Sequence, residues 1–216
     1  MKRIIIICEG QTEQEFCKSI LHPHFIHKDI EIQTPAIKKS GGGIVAWVNL
    51  KSQIEKHLLQ DETAFVSTFI DYYGIPEKYL YPNWEKAHKI TNKNRRMDIL
   101  EEGMKEDIKQ SLQCRFIPYI QLHEFEGLLF NNIQVFEKWI PEDDFLDKQE
   151  LMNTLQNYQN PEEINTDNPP SHRLSKIIQG YRKILHGNTL ALEIGLDNIR
   201  NKSPRFNHWI KTLESI

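Results

Sequence analysis

The chain reads as an α/β protein: a four-stranded parallel sheet flanked by helices, with a helical C-terminal extension. Three features point to it. Ile4-Ile5-Ile6-Ile7-Cys8 is an unbroken, β-branched apolar run, the mark of a strand buried on both faces. Residues 64–70 (AFVSTFI) and 115–122 (RFIPYIQL) are two further runs of strand length. Between these runs lie segments with helical spacing or dense charge, and alternation of that kind builds parallel sheets through right-handed crossovers.

The elements follow in order. After the first strand, Thr12 is placed to cap a helix with Glu15 as its capping-box partner, and the helix should stop before Pro23. Residues 30–36 (DIEIQTP) alternate and fit a short strand, and Lys38–Gly43 (KKSGGG) reads as a basic surface loop without the ending of a phosphate-binding P-loop. Residues 44–59 have the apolar spacing of a helix. Residues 64–70 form a strand that ends in Asp71, with Tyr72–Pro76 as its exit loop. Residues 84–112 are mostly helical and strongly charged. Residues 115–122 form the next strand, with Pro118 at an edge or a bulge. Strand signals fade beyond residue 130. Residues 134–158, 171–186 and 189–216 read as helices, and 160–170 as a loop, so 1–130 forms the α/β domain and 131–216 an extension packed on it as one globular unit.

Composition narrows the function classes. With 39% hydrophobic and 26% charged residues among 216, the chain is ordinary for a soluble globular protein. A formal net charge of −3 gives no global basic signature of nucleic-acid binding, so any such affinity must come from local charge or from a partner. Cys8, Cys17 and Cys114 are odd in number and show no CxxC spacing, which suits a reducing cytoplasm. The N-terminal apolar run is too short for a signal-peptide core or a membrane span, and no membrane association is expected.

Three strand exits carry acids: Glu9 after the first, Asp71 after the third, and Glu124 with Glu126 after the fourth. Parallel strands point the same way, so these exits share one edge of the sheet, where sites in such folds lie. Any one of these acids alone is more often a cap or turn residue, and Glu13 suits a first turn of helix as well as a ligand role. Together they repel unless they share protons or a cation, and an all-oxygen set favours Mg²⁺ or Mn²⁺. The ligand set expected is Glu9, Asp71 and Glu124. Arg173 and Lys183 are candidates for offsetting charge on a phosphoryl group, or belong to the polar face of an ordinary helix. His123 is a ligand, a proton shuttle or a structural histidine. Tyr72 and Tyr73 either stack on a base or pack around the strand exit, while Phe206, Trp209 and Ile210 have core spacing.

Residues 8–13 (CEGQTE) and 69–74 (FIDYYG) resemble the two acidic motifs of the Toprim fold, the metal-binding domain of topoisomerases, primases and the overcoming-lysogenization-defect nucleases. More narrowly, EGQTE, DYYGIP, IQLHEFEGLLF and RFNHWI, in that order, resemble an uncharacterised Toprim-like family whose members are often encoded beside ATPases in bacterial defence islands. The resemblance implies a metal-dependent nuclease or phosphoryl-transfer enzyme acting on DNA or RNA in anti-phage defence, with an ABC- or AAA-type ATPase partner. It makes Glu9 a metal ligand or general acid/base and Asp71 the first aspartate of the second motif. The chain departs from the pattern at Asp71-Tyr72-Tyr73, where Asp-x-Asp is usual, leaving Glu124 or Glu126 to substitute. The alternative is an inactive Toprim-like subunit that regulates or assembles an ATPase complex.

Overall fold

The computed structural model describes residues 1–38, 43–164 and 167–216. The run of isoleucines lies in β1 (Lys2–Cys8), which pairs in parallel with β2 (Ile30–Gln33) on one side and β3 (Phe65–Asp71) on the other. The far side of β3 pairs in parallel with β4 (Phe116–Ile117) and then β5 (Ile120–Gln121). The order is β2-β1-β3-β4, with β5 continuing the last position.

The single strand expected over 115–122 is therefore two short ones, with Pro118 and Tyr119 between them. Proline has no N–H to give and is tolerated on an edge strand such as this. The Thr68 hydroxyl takes over at the break: it accepts from the Tyr119 N–H at 2.9 Å and donates to the Tyr119 carbonyl at 2.9 Å. The pairing offset is the same on both sides of the gap, Ser67 opposite Ile117 and Ile70 opposite Ile120, so the register survives.

The first helix also differs from expectation. Helix α1 (Gln11–Phe16) begins at Gly10, whose N–H is held by the Glu13 carboxylate at 2.8 Å, so Glu13 takes the role expected of Glu15. The helix does not end before Pro23. A π turn (Cys17–Leu21) follows, closed by the His22 N–H bonding back to the Cys17 carbonyl, and α2 (His22–Ile26) carries Pro23 in its first turn, where a missing donor is tolerated.

Alternate residues of β1 serve two cores. Ile4, Ile6 and Cys8 face one that also holds Phe16, Leu21 and Phe25. Ile5 and Ile7 face the other, filled from α3 (Trp47–Gln60) and α5 (Lys93–Asp107). The short α4 (Trp84–His88) packs against α5 and buries only Ala87. The chain beyond residue 130 forms α6 (Ile133–Trp139), α7 (Lys148–Asn157), α8 (Pro170–Ile177), α9 (Lys183–Ile194), α10 (Leu196–Lys202) and α11 (Pro204–Glu214). The three helices expected over 134–158, 171–186 and 189–216 are thus each interrupted: between Trp139 and Lys148, between Ile177 and Lys183, and, in the last, at Gly195 in a positive-φ conformation and before Pro204. These helices share the first core with α1: Phe206, Trp209 and Ile210 are buried there, as their spacing predicts. Trp209 stacks on Tyr119 at 4.4 Å and donates its indole N–H to Ser67 Oγ at 2.9 Å. Among the described residues no helix is long and apolar enough to cross a membrane.

Replacing Thr68 by valine keeps the volume but leaves the buried Tyr119 N–H and C=O without partners. The expected loss is about 1–3 kcal/mol, read as a lower urea midpoint with an unchanged slope.

Candidate functional site

The carboxyl edge of the sheet opens into a cavity of about 730 Å³, lined by Glu9, Glu13, Asp71, Glu126 and Lys183 among others. Each residue arrives from a different element. Glu9 follows β1 and keeps its backbone on the sheet, its N–H bonding the Phe69 carbonyl at 3.0 Å. Its Oε2 then accepts the Asp71 N–H at 2.9 Å. Asp71 is the last residue of β3, and its Oδ1 is buried without a hydrogen bond. Glu126 sits in a 3₁₀ turn (Phe125–Leu129) just after β5 and is only 2% exposed. Its partner Lys183, at the start of α9, meets Oε1 at 2.9 Å and stays half-exposed.

The electrostatics are unbalanced. Four carboxylates face the cavity with Lys183 alone among its described lining cations. Burial pushes Asp71 well above the ordinary carboxylate range, and Glu13, Glu9 and Glu126 push it further. Burial raises Glu9 as well, partly opposed by the Asp71 N–H and Lys183. Glu126 is raised by burial against the pull of Lys183. Glu13 is driven up to about 7, by burial first and by Glu9 and Glu126 in addition, despite the bond from Gly10. Burial alone would lower Lys183, but Glu126 outweighs it and the ammonium is raised.

Two expected site residues stand elsewhere. Glu124 does not line the cavity: its Oε2 accepts the Ser171 N–H at 2.9 Å and its Oε1 the Ser171 hydroxyl at 3.1 Å, tying down the start of α8. Arg173 is held by Glu150 at 2.7 Å, Thr154 at 3.1 Å and the Asn168 carbonyl at 2.8 Å, and lies over the Tyr158 ring. Neither arrangement is visible in sequence, because Ser171 and Glu150 are distant along the chain. His123 is buried in a left-handed conformation, its Nε2 3.1 Å from Lys93 Nζ. Burial, with Lys93 and Arg96 beside it, drives the imidazole down to about 4, so it is neutral. Of the loop Lys38–Gly43, Lys39, Ser40, Gly41 and Gly42 lie outside the described residues, Lys38 donates its N–H to Gln53, and Gly43 lines the cavity. Sequence reasoning missed the cluster of Tyr72 with Trp84 and His88 next to Asp71. An aromatic residue followed at i+4 by histidine on α4 was the available signal.

Among the described residues no group of three or more His, Cys, Asp or Glu side chains is drawn together tightly enough to hold a metal ion as it stands. In chemistry the cavity suits one: every acidic donor is a carboxylate oxygen, and the buried Asp71 Oδ1 has no other partner.

Fold and cavity together define a parallel α/β protein with a buried acidic centre at the carboxyl edge of its sheet. The chain belongs to the family described as "Domain of unknown function (DUF4276)", whose model matches residues 8–214. No curated protein and no solved structure matches it.

Raised carboxyl groups favour the folded state while they hold their protons. The Glu13 contribution is complete below its ordinary value of 4.5 and is lost as pH rises through about 7. In EDTA, the melting temperature of the parent protein should therefore fall across this window relative to Glu13→Gln, which keeps an acceptor for Gly10. Parallel curves for the two proteins would refute the assignment.

Proposed function

We propose that the chain is a divalent-cation-dependent nuclease of Toprim-like type. One observation carries the reading: carboxylates from three strand exits and from α1 meet in a single cavity, where they are buried beyond what Lys183 neutralises. Glu9, Asp71 and Glu126 would hold the ion, with Glu126 in the place expected of Glu124 and answering for the second aspartate missing after Asp71. When bound, Mg²⁺ or Mn²⁺ would polarise a phosphodiester and lower the pKa of a water.

The remaining roles belong to the protein. Lys183, half-exposed at the cavity wall, is placed to meet a phosphate oxygen. Glu13, close to neutral in its titration, can take or give a proton near pH 7. The Glu9 carboxylate is fixed by the Asp71 N–H, so its orientation is set before substrate arrives. DNA or RNA as substrate, a role in anti-phage defence and an ABC- or AAA-type ATPase partner rest on the family resemblance.

A second reading has one observation in its favour. Among the described residues no three acidic side chains are close enough to share an ion, as a regulatory or assembly subunit of an ATPase complex would allow.

Plasmid, single-stranded DNA and tRNA incubated with Mg²⁺ or Mn²⁺ separate the two. Asp71→Asn and Glu126→Gln should each lower cleavage by about a hundredfold or more. Glu124→Gln, which keeps acceptors and donors for Ser171, should retain most activity. Full activity in Asp71→Asn would end the nuclease reading. Absence of cleavage together with absence of Mn²⁺ heat in calorimetry would favour the second.

A further inference from the structure

Residues 84–96 carry five lysines and arginines against one acid, Glu85, in a chain whose formal net charge is −3. Lys86, Lys89 and Arg95 are exposed, and among the described residues no carboxylate pairs with Lys86, Lys89, Lys93 or Arg96. Arg95 lies 4.0 Å from Asp98, and Lys93 and Arg96 are half-buried, so Lys86 and Lys89 carry the charge most open to solvent.

Three rings stand at its start. Trp84 and His88 lie 4.0 Å apart between centroids at 34°, and Tyr72 lies 6.4 Å from Trp84 and 6.2 Å from His88 at similar inclinations. The group is pinned: Tyr72 Oη meets His88 Nε2 at 2.9 Å and accepts from Arg96 at 3.1 Å, and Arg96 also donates to the Ile90 carbonyl at 2.8 Å. His88 is exposed, and Tyr72 and Trp84 are half-buried. The cluster does not line the acidic cavity, but the chain joins them: Tyr72 follows Asp71, and a Cβ at Gly74 would lie 3.4 Å from Glu9 Oε1.

We propose that this basic, aromatic strip binds single-stranded nucleic acid, with bases on the ring cluster and phosphates along Lys86, Lys89 and Arg95, and leads the strand toward the acidic cavity. Its purpose rests on the reading of that cavity as a phosphodiester-cleaving centre. Four carboxylates repel a polyanion, so a strand reaches them only where positive charge alongside offsets the repulsion. Rings take bases whose faces are free, and a duplex hides those faces between neighbours. An acidic protein segment would satisfy the charges but leave the rings without stacking partners.

The test uses the full chain carrying Asp71→Asn, in EDTA, so that neither cleavage nor an ion contributes. Fluorescein-labelled dT20 and a 20-base-pair duplex are titrated by anisotropy across several salt concentrations. The strand should bind at least about tenfold more tightly than the duplex. Combining Lys86→Ala, Lys89→Ala and Arg95→Ala, all at exposed positions, should weaken strand binding and reduce its salt slope by about 2. Trp84→Leu should weaken the strand about tenfold with the salt slope unchanged. Equal affinity for duplex and strand, parent-like affinity in the triple variant, or no binding by the parent would each overturn the inference. Mn²⁺ calorimetry on the chain with native Asp71 reports on the cavity separately. Lost heat with intact strand binding counts against the nuclease reading, and intact heat with no strand binding counts against this one.

Discussion

The structure of the acidic edge depends on the bond from the Asp71 N–H to the Glu9 carboxylate. In a parallel ladder the donor following the Glu9 N–H to Phe69 carbonyl bond is Asp71, and its usual acceptor is the Glu9 backbone carbonyl. Here the side chain of Glu9 stands in for its own main chain. Strand β1 is then free to turn at Gly10 and start α1, yet stays tied to β3 one step beyond the last backbone pair. The exchange also places two carboxylates side by side at the mouth of the sheet.

That position opposes stability. Glu9, Asp71, Glu126 and Glu13 are all raised by burial, which means the fold favours their neutral forms while solvent near pH 7 favours their charged ones. Two apolar cores, one on each face of β1, hold the strands in place against this repulsion. Stored tension of this kind is common where function outweighs stability. Among the described lining residues Lys183 supplies the one cation that offsets these acids, through Glu126, and it comes from the C-terminal helices. The same helices also place Trp209 against Tyr119 and Ser67, so the portion after residue 130 both braces the sheet and supplies the cation.

The strands and their exits were legible because they follow from local pattern: the isoleucine run, the AFVSTFI run and the acids at their ends lie within a few residues of one another. Glu9, Asp71, Glu126 and Lys183 reach one cavity, as parallel strands require. What sequence did not disclose depends on distant partners. Glu124 and Glu126 are two residues apart, and nothing local says that Ser171 takes the first and Lys183 the second. Arg173 looked available until Glu150 and Tyr158 were seen around it. The helix limits failed for a different reason: Pro23 normally ends a helix, but here it falls in the first turn of α2, directly after a π turn.

Pro118 carries a consequence for the protein in concentrated solution. β4 and β5 form one outer rim of the sheet, and an outer rim with a full row of free N–H and C=O groups invites the same rim of another molecule to join it. The proline deletes a donor in the middle of that row and splits it into pieces of two residues. Thr68 occupies the inward side of the gap. Copies of the chain therefore lack a continuous template for adding strand to strand at this rim, where the Glu101 carboxylate and the Arg205 guanidinium also already take the Ile120 N–H and C=O.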